Sequence, residues 1–297
     1  MPKEKVMYIN LPEGAYYQRV EVTEDGKIGI IYTEQDVSNE KPIKAPLIVS
    51  IPKPIPLIGG TEVYQKNNGT PYWYCKIKEG RDEFMHLYFK DLTEYDLLYD
   101  KNGKKRKFIK EKQKKFRENV LEALKNKPKE GYRWIPVFEP SMDSNGYLQY
   151  VSGARVLIGK IHDSYGWEKK IKEYSPANGS RIASITTYFL LALRWLKDGV
   201  ATLKQLADDS KDIGHYCNSK GTKKHFEETG EREFGGLFGF VGNTYKIVKD
   251  SAACSSFSTV GGYCGNYGDE YPMANVKFVE CPYDRKNYGV GFLELTK

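Results

Sequence analysis

The sequence predicts an α+β fold in which a mostly β N-terminal region precedes a mixed, glycine-rich C-terminal domain. Three patterns point there. Short strand-like runs separated by turn residues fill 1–100. The stretch 101–129 turns basic, with apolar residues at helical spacing. The region from 130 onward joins an apolar helical run to glycine-punctuated strand segments. The expected organisation is therefore an attachment or assembly region over 1–100, a basic helix or linker over 101–129, and a domain over 130–297.

Taken in order, VMYINL, QRVEVT and KIGIIYT read as strands, the last two joined by Glu24-Asp25-Gly26, with glycine where a left-handed conformation is easiest. Pro42, Pro46, Pro52, Pro54 and Pro56 exclude a helix and predict an extended arm or edge strand, suited to docking on a neighbouring subunit or to bridging two parts of one. TEVYQ, PYWYCKIKEG and EFMHLYF follow as short strands, and EYDLLYD as a helical turn or short strand. Ile109, Phe116, Val120 and Leu124 then recur along one stripe, which predicts an amphipathic helix ended by Pro128. Its lysines are diluted by Glu111, Glu118 and Glu122, so a solvated face is expected rather than a nucleic-acid site.

GYRWIPVFEP and GYLQYVSGARVLIGKIH read as strands around an Asn145-Gly146 turn. Ser184 or Thr186 caps a helix that buries Tyr188, Phe189, Leu191, Ala192, Trp195 and Leu196 and closes at Gly199; a second helix is expected from Thr202 to about Ile213. From Gly235 to Lys297 short strands alternate with long turns.

Composition narrows the function. The formal charge of +7 comes from 46 basic and 39 acidic residues that interleave, so the total by itself names no partner. Five cysteines without a CxxC pair indicate neither a zinc knuckle nor a complete disulfide framework, and reduced thiols in a protein folded in a cytoplasm are expected. MPKEKVMYINLPEG lacks an apolar h-region, and no run of about 18 apolar residues occurs, so neither a signal peptide nor membrane insertion is expected. No GxSxG, Walker A or HExxH motif is present, and no metal or cofactor is expected.

Four segments carry a resemblance: SPANGSRIASITTYF, GGLFGFVGNTYKIV, VGGYCGNY and YGVGFLEL. In order and spacing they resemble the formylglycine-generating-enzyme-like branch of the C-type lectin fold, as in sulfatase-modifying factors and the variable proteins of diversity-generating retroelements. Arg181, Ile182, Ala183, Ser184 and Tyr188 match the segment entering the family's helix. Gly236, Gly239, Gly242, Asn243 and Tyr245 match its GLxDMxGNVWEW element. Gly261, Gly262 and Tyr263 match RGGSW, and Gly289, Gly291 and Phe292 match the closing GFR. Val260 and Leu293 stand where the family has arginines.

The resemblance implies a C-type-lectin-like domain and two routes to function. The enzymes of the branch use two nearby cysteines to hold copper; here Cys264 lies in the matching loop, but its partner at the family spacing is absent, and Cu(I) favours soft thiolates. A metal-dependent oxidase working through Cys264 is thus the alternative expectation. The leading one is a non-enzymatic protein binding a host-surface protein or glycan through Tyr263, Asn266, Tyr267, Asp269, Tyr271, Tyr283, Asp284, Arg285, Asn287 and Tyr288, residue types that recognition surfaces favour. The N-terminal region would join it to virion or scaffold proteins as a homo-oligomer. A phage virion component fits this organisation. Between Ser251 and Pro272, Glu270 is the only one of Lys, Glu, Gln, Met and Trp present, as expected if adenines in pyrimidine-ending codons were diversified.

Overall fold

The computed structural model describes the backbone at 15–22, 28–34, 62–64, 76–79, 219–220 and 278. With side chains it describes 81–157, 160–161, 164–174, 179–218, 229, 232–249, 256–277 and 289–296. It divides into two units, 1–55 and 56–297. In the first, β1 (Ala15–Val22) and β2 (Ile28–Glu34) pair antiparallel, Val22 opposite Ile28, with an irregularity between Tyr17 and Arg19. This is the pairing that QRVEVT and KIGIIYT predict. VMYINL and the proline-rich arm lie outside the described residues.

In the second unit β3 (Glu62–Tyr64), β4 (Lys76–Glu79), β5 (Asp82–Tyr88) and β6 (Tyr132–Pro136) form an antiparallel sheet in that order. Between β5 and β6 the chain makes α1 (Glu94–Leu98) and α2 (Glu111–Lys125). The hairpin of β7 (Ser141–Met142) and β8 (Leu148–Gln149) turns at Gly146, then α3 (Ser164–Tyr174) and β9 (Arg181–Ile182) lead into α4 (Ile185–Lys197). After α4 come α5 (Leu203–Ala207), α6 (Cys217–Lys220) and the small hairpin of β10 (Glu233–Phe234) and β11 (Leu237–Phe238).

The last sheet has the order β14 (Val276–Phe278), β13 (Phe257–Val260), β12 (Tyr245–Lys249) and β15 (Gly289–Gly291), with β15 parallel to β12. β16 (Leu293–Glu294) pairs with β9, and Leu295 exchanges backbone hydrogen bonds with Trp134 of β6 (3.1 and 2.8 Å). The final described residues thus tie the two four-stranded sheets to the entrance of α4.

Helix α4 is the centre of this unit. Ser184 caps it by accepting the Thr187 N–H (3.2 Å), and Gly199 follows its end at φ +71°, as the sequence predicts. Every residue from Thr187 to Leu196 is buried, so the helix has no solvent stripe in that span. Phe116 of α2 meets Phe189, while Tyr188 and Trp195 both meet Phe240. The buried cation of α4, Arg194, bonds the Tyr88 carbonyl (3.2 Å), Asp91 and Asp198. Burial raises the Asp91 carboxyl, but Arg194 and Lys197 outweigh it and hold the group below its ordinary value. Its contribution is therefore present at neutral pH and lost as pH falls through the depressed value. Asp91→Asn is expected to flatten the acid limb of a melting-temperature profile while leaving the alkaline limb unchanged.

Several boundaries differ from expectation. The division falls at 55/56 rather than near 100 and 130, because β5 and β6 pair across 101–129 and α2 packs Phe116, Val120 and Ala123 into the core shared with α4. Ile109 precedes α2 and is 73% exposed, although it matches the helical stripe. Residues 150–157 contain no strand, and the helix after Thr202 stops at Ala207. Among the described residues no helix is long and apolar enough to cross a membrane.

Candidate functional site

The loop 261–275 leaves β13 through two glycines. Gly261 has φ +76° and donates its N–H to the Asn275 carbonyl (2.8 Å), while a Cβ on Gly262 would lie 2.8 Å from both the Tyr216 ring and the Tyr271 carbonyl. Only a residue without a side chain lets the loop start so close to its own return. The loop is then fastened along its length. Cys264 N–H bonds Asn243 O (3.2 Å), Cys217 N–H bonds Asn266 O (2.9 Å), Ser210 N–H bonds Gly268 O (3.1 Å) and Ala274 N–H bonds Leu206 O (2.9 Å). Side chains complete the frame: Ser210 Oγ accepts Met273 N–H (2.7 Å), Asn218 Oδ1 accepts Gly268 N–H (3.1 Å), and Tyr188 donates its hydroxyl to Met273 O (2.8 Å). From α2, Lys112 donates to the carbonyls of Asp269 and Glu270.

The predicted contact residues separate into two groups. Asn266 turns inward: its Oδ1 accepts the Tyr245 hydroxyl (2.7 Å) and the Tyr263 N–H (3.0 Å), so it shapes the loop. Tyr263 is half-buried against the Tyr245 ring, at 5.3 Å between centroids, and Tyr271 is half-buried too. Tyr267, 44% exposed, and Asp269 face solvent together with Glu270, which is not among the expected contact residues. Asn218 Nδ2 meets Asp269 Oδ1 at 3.3 Å. Tyr283, Asp284, Arg285, Asn287 and Tyr288 lie outside the described residues. Ser210, Asn218, Asn243, Tyr245 and Lys112 frame the loop from distant parts of the chain; of these, only Asn243 and Tyr245 carried a motif match.

Gly268 is the tightest point. A Cβ there would lie 2.5 Å from the Lys211 backbone nitrogen, and both backbone groups of Gly268 are already engaged. Gly268→Ala is expected to cost about 1–3 kcal/mol through overpacking and to speed hydrogen exchange at Cys217 and Ser210, whose N–H groups bond this loop, while β5 and β6 exchange as before.

Cys264 does not face solvent. Its exposure is 0%, and burial, with further pushes from Cys217 and Glu139, drives its thiol up to about 12. Burial thus favours the protonated thiol, whereas a nucleophile must be a thiolate. Among the described residues no group of three or more His, Cys, Asp and Glu is placed to hold a metal ion.

Beneath the loop lies a buried polar network. Glu139 bonds Lys246 Nζ (3.0 Å), Asn243 Nδ2 and Thr244 Oγ1, and all four residues are buried. Burial, partly offset by Glu139, holds Lys246 below its ordinary value. The adjoining cavity, lined by Phe138, Glu139, Tyr150, Phe240, Lys246 and Phe292, measures about 20 Å³. That is room for one water, not for a substrate. Network and loop are linked through Asn243, whose side chain meets Glu139 and whose carbonyl accepts Cys264 N–H.

No family model, no curated protein and no solved structure matches this chain.

Proposed function

We propose that this is a non-enzymatic binding protein of the C-type lectin fold, in its formylglycine-generating-enzyme-like branch, and that the loop 261–275 is part of its ligand surface. The observation that carries the reading is the combination in one loop of a backbone bonded to core elements with Tyr267, Asp269 and Glu270 turned outward. A loop fixed before contact loses little conformational freedom on binding. The fold assignment is supported by the mutual packing of the motif segments. Arg181 pairs opposite Glu294, Ser184 bridges to Lys249, Lys246 lies opposite Val260, and Tyr245 lies opposite Gly289.

The ligand class that suits a tyrosine beside carboxylates is a host-surface protein or glycan. A phage virion component, held as a homo-oligomer through its N-terminal region, is the setting that the sequence organisation favours. If retroelement diversification acts here, it can change Tyr267 and Asp269 freely but not Gly262 or Gly268, where a side chain meets backbone.

One observation favours the oxidase alternative: Cys217 lies near enough to Cys264 to raise its thiol further, so two thiols share this region. The two readings separate in one set of experiments. The labelled protein, applied to a glycan array and to intact bacterial cells, should bind in a way that Tyr267→Ala and Asp269→Ala abolish without lowering the melting temperature. Cys264 should react with a thiol reagent only after unfolding. Stoichiometric copper or iron in the purified protein, removed by Cys264→Ser, would overturn the non-enzymatic reading.

A further inference from the structure

We propose that the hairpin 99–107, with the tyrosine pair beside it, binds single-stranded nucleic acid. This surface is separate from the loop 261–275, and either proposal can fail without the other.

Residues 99–105 close a tight turn. Tyr99 bridges to Lys105, Asp100 N–H bonds Lys104 O (3.0 Å), Gly103 N–H bonds Asp100 O (2.9 Å), and Asp100 Oδ1 accepts the N–H groups of Asn102 and Lys104 (both 2.9 Å). Arg106 holds the turn in place: its guanidinium donates to the carbonyls of Asp96 (2.7 Å), Leu97 (3.3 Å) and Tyr99 at the end of α1, and to Leu196 (3.3 Å) at the end of α4. The turn is therefore fixed on two helix ends.

On this support Lys101, Lys104, Lys105 and Lys107 are all exposed, and none has an ion pair among the described residues. The lysines of α2 differ. Lys114, Lys115 and Lys125 pair with Glu111, Glu118 and Glu122 at 3.5, 3.6 and 3.5 Å, Lys110 pairs with Asp208 (3.3 Å), and Lys112 serves the loop 261–275. The glutamates that dilute the helix thus leave the hairpin untouched. Its acidic neighbours are Glu94, Asp96 and Asp100. Asp96 caps α1 and meets Lys197, and Asp100 accepts the turn's own N–H groups.

Lysines alone would serve any polyanion; the tyrosines narrow the choice. Tyr95, 58% exposed, stacks on Tyr99 with centroids 4.5 Å apart and planes at 17°. An exposed flat ring beside unpaired cations is the combination that holds unpaired bases and their phosphates, whereas the bases of a duplex are already stacked on one another.

The test uses the full chain and a fluorescein-labelled oligothymidylate, followed by polarisation between about 50 and 200 mM salt. Binding should weaken with salt, log K falling by about 0.7 per phosphate neutralised for each tenfold rise. Lys101→Ala with Lys105→Ala should make that slope shallower. Tyr95→Ala should weaken binding roughly tenfold at unchanged slope. Lys169→Ala with Lys172→Ala, exposed positions on α3, should change nothing, and all variants should keep the parent melting temperature because they alter exposed side chains. Absence of binding at low salt, or indifference to the lysine and tyrosine variants, overturns the proposal. Equal affinity for a DNA duplex, or tighter binding to polyglutamate or to phosphatidylserine vesicles, overturns it in favour of a general polyanion, an acidic protein or a membrane surface.

Discussion

Glu139→Ala is expected to lower the unfolding free energy by about 3–5 kcal/mol, the range found when one partner of a buried ion pair is removed. The side chains of Glu139 and Lys246 are 2% and 3% exposed, and the carboxylate also accepts from Asn243 and Thr244. Its loss leaves the ammonium with the Thr244 carbonyl (2.8 Å), the Thr244 hydroxyl (3.0 Å) and the Gly239 carbonyl (3.4 Å), which are dipoles rather than a countercharge. Urea unfolding with an unchanged m-value would measure the effect. Because burial holds Lys246 below its ordinary value, the folded state sheds this proton before the unfolded chain does. The penalty of the variant should accordingly shrink as pH rises toward the ordinary lysine value. Glu139→Leu combined with Lys246→Met should recover most of the loss, since neither charge then remains buried. A cost below about 1 kcal/mol for the single variant, the range of exposed pairs, would mean that water reaches the network.

Glu294→Ala is the second large effect, at about 3 kcal/mol on the same argument. Glu294 is fully buried and meets Arg181 (2.6 Å), Arg133 (3.4 Å) and Thr187. Arg181 is 41% exposed and can turn to water; Arg133, at 4%, cannot, and among the described residues keeps only Glu130 (3.3 Å) and the Tyr132 carbonyl (2.7 Å). The loss should concentrate where β16 and Leu295 meet β9 and β6, so hydrogen exchange at Leu295 and Trp134 should rise more than at Ile247 of β12. A uniform rise across all three would indicate global destabilisation without local opening.

The parts of this architecture that were legible in the sequence are those written in consecutive residues. Ser184 and Gly199 bound α4 because capping needs an oxygen before the first turn and a left-handed residue after the last. The burial of α4 on all sides was not legible from its apolar pattern, since a helix packed against α1, α2 and the rings of Phe234, Phe240 and Phe292 reads locally like one with a single apolar face. Ile109 matched the stripe of α2 yet lies before its first turn, where spacing gives no orientation. In the loop, type and position suggested contact for both Asn266 and Tyr267. What separates them is Tyr245, whose hydroxyl draws Asn266 inward from 21 residues away. Glu139 and Lys246 meet across 107 positions, and no local pattern pairs them.

The packing of α2 decides where the chain can be cut. A fragment beginning at 130 would lack Phe116, Val120 and Ala123 against α4, the β5 strand that pairs with β6, and the Lys112 ammonium under the carbonyls of Asp269 and Glu270. It would expose Phe189 and lose one fastening of the loop at the same time. Such a fragment should aggregate, whereas limited proteolysis of the whole chain should leave α2 attached to the piece that carries Tyr267.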